Sequence, residues 1–225
     1  ETAMHRLGGC VVSSVGLQFS SLTKGETLYD TGRIIEQSAD VVAMRHPDDG
    51  SVAQLAVGAS VPVINAGDGA GEHPTQALLD LFTIQKERGK IDGLKIAMVG
   101  DLKYGRTVHS LSLMLSHFDV ELLFVGPPEL KMPVEICRVL KEKGVKFSET
   151  TDMRAAMKES QVLYMTRIQQ ERFTDMKEYE KHRNGYILTR EVVDETNPEI
   201  LIMHPLPRIW EITKDVDDVP GAAYF

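Results

Sequence analysis

The sequence predicts an α/β protein of two domains, each a parallel β-sheet flanked by helices, joined by a bridging helix with a ligand site in the cleft between them. Three observations carry this. Short apolar, β-branched runs alternate with stretches of helical periodicity almost throughout. The runs are continuously hydrophobic, as strands covered on both faces must be. Their C-terminal ends deliver basic side chains, and open α/β sheets bind ligands at the carboxyl ends of strands.

Taken in order, "ETAMHRLGG" reads as the later turns of a helix ending at Gly8, and "CVVSSV" (10–15) as a first strand. A helical pattern, "GETLYDTGRIIEQSA", follows over 25–39, then strands "DVVAMR" (40–45) and "VPVINA" (61–66). The glycine-rich turn "GDGAGEH" leads into the clearest helix, Pro74 to Arg88. Pro74 suits the first helical position because it has no N–H to leave unpaired. Ala77, Leu78, Leu81, Phe82 and Ile84 recur at helical spacing, Lys86 and Arg88 fill the last turn, and Gly89 can stop it. With three strands before it and four after, this helix is the expected bridge. The later strands are "LKIAMVGD", "VELLFVG", "VLYMTR" and "EILIMHP". They alternate with helical stretches "RTVHSLSLMLSHF", "MPVEICRVLKEKG", "DMRAAMKES" and "ERFTDMKEYEKHR".

Composition narrows the function. A net charge of −8 in 225 residues argues against a nucleic-acid surface, which needs surplus clustered Lys and Arg. No apolar run approaches the roughly 20 residues of a membrane helix, and no signal peptide is visible. Cys10 and Cys137 match no metal spacing and read as reduced core cysteines of a cytosolic protein. "VGDLKYG" lacks the G-x-G-x-x-G spacing, and there is no P-loop, no H-E-x-x-H and no paired Cys. Ser20 and Ser21 have no nucleophile-elbow context. No metal and no cofactor are expected. Catalysis would rest on positioning and electrostatics.

The strand ends are where charge collects. They deliver Arg45 with His46 and Pro47, then His73, then Lys103 and Arg106, then Arg167 and Gln169, and last "HPLPR", His204 to Arg208. In an acidic protein this set suggests a cleft built to neutralise a substrate with several negative charges, gripped by arginines that bind carboxylate or phosphate bidentately. His73 precedes a helix whose free first-turn N–H groups favour an anion or a polarised carbonyl. It stands there either as a ligand group or merely as a cap.

"AGDGAGEHPTQALLDLFTI", "MVGDLKYGRTVHSL", "VLYMTRIQQERF" and "HPLPR" closely resemble the catalytic chain of aspartate carbamoyltransferases. "SSLTKGETLYDT" and "MRHP" fit the same family in the right order, so the similarity spans nearly the whole chain. The related ornithine carbamoyltransferases usually carry His-Cys-Leu-Pro where this chain has "HPLP", and lack the "SSLTKGET" loop and the Arg167/Gln169 pair. The resemblance implies transfer of a carbamoyl group from carbamoyl phosphate to L-aspartate, an early step of pyrimidine synthesis. It implies that Arg45 and His73 polarise the carbamoyl carbonyl and that Gln76 hydrogen-bonds the carbamoyl group. The main-chain carbonyls of Pro205 and Leu206 would accept from its NH₂. Arg106 and Arg167 would clamp the aspartate carboxylates, with Gln169 beside them. Ser20 (or Ser21) and Lys24 would enter the neighbouring subunit's site, giving a homotrimer with shared active sites in the cytoplasm. Lys103 and Arg208 would tie the domains together by ion pairs, with Asp101 a partner.

The resemblance also implies a division into a carbamoyl-phosphate domain over 1–73 and an aspartate-binding domain over 74–225. Both ends read as incomplete: the family's Ser-Thr-Arg-Thr phosphate loop would precede Glu1, and its closing helix would follow Phe225. The chain alone is therefore expected to be weakly active or inactive. A carbamoyltransferase with another acceptor, and a scaffold domain within a larger pyrimidine-synthesis assembly, are the rival readings. Regulatory chains and fused pathway domains are possible partners.

Overall fold

A computed structural model describes residues 1–15, 21–69, 71–168, 179 and 185–225. They fall into two compact units, one of residues 1–44 and 50–64, the other of residues 45–49 and 65–225.

In the first unit a short helix α1 (Thr2–Arg6) opens the chain. Residues 10–15, expected as a strand, adopt none; Val12 and Val15 are almost fully exposed, so their β-propensity has no pleated surface to fit. Helix α2 (Leu28–Ile35) starts at Thr27, whose hydroxyl accepts from the Asp30 N–H at 3.1 Å. Helix α3 (Ser51–Gly58), which the sequence reading had not singled out, packs directly on α2. Glycines set that approach: a Cβ at Gly58 would overlap the Tyr29 carbonyl, and one at Gly32 would crowd the Leu55 carbonyl. Strands β1 (Val42–His46) and β2 (Val63–Asp68) form a two-stranded sheet at the places expected.

The second unit is built on a five-stranded parallel sheet. Its strands are β3 (Leu94–Val99), β4 (Val120–Val125), β5 (Lys146–Thr150), β6 (Val162–Met165) and β7 (Leu201–Met203), in the order β5-β4-β3-β6-β7. Burial follows the period of two. Ala97, Val99, Leu123, Val125, Leu163, Met165 and Ile202 belong to one core cluster; Ile96, Met98, Leu122, Phe124, Val162, Tyr164 and Met203 belong to the other. Helices α4 (Pro74–Arg88), α5 (Arg106–Leu115), α6 (Val134–Glu142), α7 (Met153–Glu159) and α8 (Arg190–Thr196) complete the unit. The stretch 171–183, expected as a helix, lies outside the described residues apart from the buried Tyr179.

Helix α4 runs over the residues expected, with Pro74 in its first turn and Gly89 as C-cap. Its inward face is Ala77, Asp80, Leu81 and Ile84; Leu78 and Phe82, which share the apolar helical spacing, are exposed. Neither cysteine is a core residue as expected. Cys10 is exposed and Cys137 only partly covered; burial, with the Glu149 charge adding, pushes the Cys137 thiol up.

A candidate active site at the strand ends

Chain order reverses on either side of β3, so the carboxyl ends of β3 and β6 bound the switch point where ligands of open α/β sheets bind. A pocket of about 860 Å³ lies there, and every residue lining it belongs to the second unit.

Each wall is a strand end made rigid by its own hydrogen bonds. After β3, the chain is held by Asp101 N–H on Thr166 Oγ1 (3.1 Å) and by Tyr104 N–H on Asp101 Oδ1 (3.0 Å). This delivers Tyr104, Gly105, Arg106 and Thr107 to the pocket at the start of α5. After β6, Thr166 donates to the Val99 carbonyl (2.9 Å), which places Thr166 and Arg167 opposite. After β7, the buried His204 accepts from the Leu206 N–H through Nδ1 (2.8 Å), so its Nε2 carries the proton toward Glu211 (2.8 Å). Burial works against the Glu211 charge, but His204 and the main-chain N–H groups of Glu211 and Trp210 hold that carboxyl below its usual range. Pro205, Leu206 and Pro207 thereby line the pocket, with Leu206 at φ 53° and a cis Leu206–Pro207 bond.

The remaining wall combines residues 45–47 with the glycine-rich turn and α4. Gly69 N–H donates to the His46 carbonyl (2.9 Å), Gly71 N–H to Asp49 Oδ1 (3.1 Å), and Arg106 Nη1 to the Gly69 carbonyl (2.5 Å). Gly69 has φ 52°, and a Cβ there would strike the Asp49 side chain, so only glycine fits. His73 occupies the N-cap position of α4 yet makes no capping bond with its side chain. Its main-chain N–H donates to Ser110 Oγ (2.9 Å), and Ser110 donates to Glu72 (2.6 Å). The half-buried imidazole is left to face the pocket beside Arg45, Arg106 and Gln76.

Electrostatics follow from that crowding of cations. Burial, then the charges of Arg106 and Arg45, push the His73 imidazole below the usual histidine range, so it is neutral at pH 7. Burial and the Arg45 charge likewise lower Arg106. Gln76 donates through Nε2 to Asp80 Oδ1 (2.9 Å), and Asp80 Oδ2 accepts from the Tyr164 hydroxyl (2.7 Å). Burial pushes the Asp80 carboxyl up to about 6, against the hydrogen bonds from Tyr164 and Gln76. Among the described residues, no carboxylate lines the pocket.

The structure thus brings together Arg45, His73, Gln76, Arg106, Arg167, Pro205 and Leu206. Gln169 and Ser20 lie outside the described residues. Lys24 is exposed in a 3₁₀ turn, Ser21–Lys24, and does not line the pocket. Arg208 was expected to bridge the domains, but its carboxylate partner is Asp217 of the same unit, with Nη2–Oδ2 at 2.6 Å, because the 3₁₀ turn Lys214–Asp218 brings Asp217 alongside. Lys103 lies over the Tyr104 ring at 5.1 Å. Sequence reading missed Asp80, Tyr164, Thr166 and Ser110. For Asp80 the signal was available: a carboxylate four residues after Gln76, on the apolar face of α4.

Two family models match. One, described as the carbamoyl-phosphate-binding domain of aspartate/ornithine carbamoyltransferases, covers residues 1–86; the other, their aspartate/ornithine-binding domain, covers 92–225. The aspartate carbamoyltransferase catalytic subunit of Leptospira biflexa is 54% identical over the whole chain, which spans 72% of that relative. The catalytic subunit of Methanocaldococcus jannaschii aspartate transcarbamoylase superposes with a TM-score of 0.92 at 52% identity, over 99% of this chain and 72% of that one. Trypanosoma cruzi aspartate transcarbamoylase in complex with N-(phosphonacetyl)-L-aspartic acid gives 0.91 at 41% identity, over 99% and 72%.

Proposed function

The chain belongs to the aspartate/ornithine carbamoyltransferase family, and from that premise we propose that it transfers the carbamoyl group of carbamoyl phosphate to the α-amino group of L-aspartate, releasing N-carbamoyl-L-aspartate and phosphate. The observation that carries the reading is the convergence of His73, Gln76, Arg45, Arg106 and Arg167 on one pocket that no described carboxylate lines. Such a lining suits two polyanionic substrates.

The unprotonated amine attacks the carbamoyl carbon, the carbonyl oxygen takes up negative charge, and the C–O bond to phosphate breaks. Neutral His73 donates one N–H to that oxygen, and Arg45 supplies positive charge beside it. Removing one such donor typically costs about 10²–10³ in kcat. No described carboxylate lines the pocket, and His73 is engaged as donor to the carbonyl oxygen, so the departing phosphate takes the amine proton. Gln76 and the carbonyls of Pro205 and Leu206 hold the carbamoyl NH₂. Arg106 and Arg167 grip the aspartate carboxylates, with Gln169 beside them. Arginines paired for a dicarboxylate favour aspartate over ornithine as acceptor.

We assign residues 1–73 to the carbamoyl-phosphate domain and 74–225 to the aspartate domain; the two family models follow in the same order, over 1–86 and 92–225, which supports the succession of the domains. In the same reading the active form is a cytoplasmic homotrimer in which Ser20 and Lys24 complete a neighbour's site. Among the described residues no helix is long and apolar enough to cross a membrane. The test is carbamoyl-aspartate formation by the full-length protein, with His73→Ala and Arg167→Ala. Loss of kcat by about 10²-fold or more in the first, and a raised KM for aspartate in the second, are expected. A folded trimer with no turnover would favour a scaffold instead, and turnover of ornithine alone would move the acceptor.

A further inference from the structure

Beneath the pocket runs a buried chain of hydrogen bonds that begins on its lining. Gln76 donates to Asp80, and Asp80 accepts from Tyr164. Gln76 lines the pocket; Asp80 is 2% exposed and Tyr164 0%. A primary amide has two faces of opposite polarity, and rotating it by half a turn exchanges a donor for an acceptor. An ionised carboxylate accepts only, so it can hold just one of those faces toward itself.

We propose that Asp80, held in place by Tyr164, is a positioning residue that fixes the Gln76 amide with its nitrogen inward and its oxygen toward the pocket, making that subsite select an acyl group bearing N–H. The proposal rests on the assignment of Gln76 to the carbamoyl group and adds what decides its polarity. Asp80 lies one helical turn beyond Gln76, where an (i, i+4) pair meets, and α4 is rigid there because Ala77, Leu81 and Ile84 are packed in the core. Tyr164 leaves from the neighbouring strand β6 and takes the second carboxylate oxygen, so the Asp80 side chain cannot turn away. The subsite would then favour carbamoyl phosphate over acetyl phosphate, in which a methyl replaces the amino group and leaves the Gln76 oxygen unpaired.

The experiment compares the affinities of carbamoyl and acetyl phosphate in the full-length protein, its Asp80→Leu variant and its Gln76→Ala variant. In Asp80→Leu the freed amide rotates. The preference for carbamoyl over acetyl phosphate should fall about tenfold, the worth of one hydrogen bond, while the KM for aspartate stays within twofold. An unchanged preference in folded Asp80→Leu, with a reduced one in Gln76→Ala, overturns the role of Asp80 alone. An unchanged preference in both removes Gln76 from the carbamoyl subsite and overturns the reading beneath it. Should Asp80→Leu fail to fold, side-chain amide exchange in the unaltered protein decides. A protected Gln76 Nε2–H, released by Tyr164→Phe or not, upholds the inward nitrogen; exchange at the rate of a free amide overturns it.

Discussion

His73 and Asp80 show how far burial can move a side chain from its ordinary chemistry. The imidazole is pushed down and the carboxyl up, in each case toward the neutral form. For His73 the expected outcome is an NMR titration with a midpoint below 6.5, rising when a phosphonate–aspartate bisubstrate analogue places anionic charge in the pocket. A ligand-free midpoint at or above 6.5 would remove the neutral donor from the mechanism. For Asp80 the folded state favours the protonated acid, with a pKa of about 6 against an ordinary 3.8. The folded chain therefore binds more protons than the unfolded one between those values, and stability declines as pH rises through that window. Asp80→Asn, which cannot ionise, should lack this decline. Its stability relative to the unaltered protein should improve by up to about 3 kcal/mol from pH 4 to pH 7, measured by urea unfolding at both. A pH-independent difference would place the raised pKa elsewhere.

At the scale of elements, the close seat of α2 on α3 depends on glycine as much as on apolar area. Gly58→Ala should destabilise the protein by about 1–3 kcal/mol, because overpacking forces two helices apart. The check is an earlier unfolding midpoint with kcat unchanged. These elements were unequally legible in the sequence. β3 and β4, whose side chains are covered on both faces, wrote themselves as apolar runs. β5 was missed because "KFSET" forms the sheet edge, with only Phe147 and Thr150 partly covered, so half its pattern is solvent-facing polarity. Residues 10–15 erred the other way, as local β-propensity cannot report that among the described residues no strand pairs with them. On α4 the register was right but the apolar stripe was drawn too wide, since exposed Leu78 and Phe82 look like core in one dimension. The pocket's cations were legible because each follows an apolar run; Asp80 was marked by its place four residues after Gln76, but Tyr164 was not, because a polar group inside a core is defined only by its partner.

For the whole molecule, the net charge of −8 and the cationic pocket set a field that draws anions to one place on an otherwise anionic surface. Saturation to about 100 times Kd with N-(phosphonacetyl)-L-aspartate should stabilise the full-length protein by about 2.7 kcal/mol. Calorimetry should show affinity weakening as salt rises. Arg167→Ala should lose most of the affinity, and a salt-independent association would argue against charge as the organiser. The knot of bonds joining Arg106 to Gly69, Gly69 to His46 and Gly71 to Asp49 carries a consequence for inheritance. Three stretches that lie far apart in the gene must change together or not at all. A recombinant taking residues 45–49 from one relative and 67–106 from another inherits two halves of one fitting. Such crossovers should be rarer among descendants than chance allows, even where every residue involved is acceptable in its own parent.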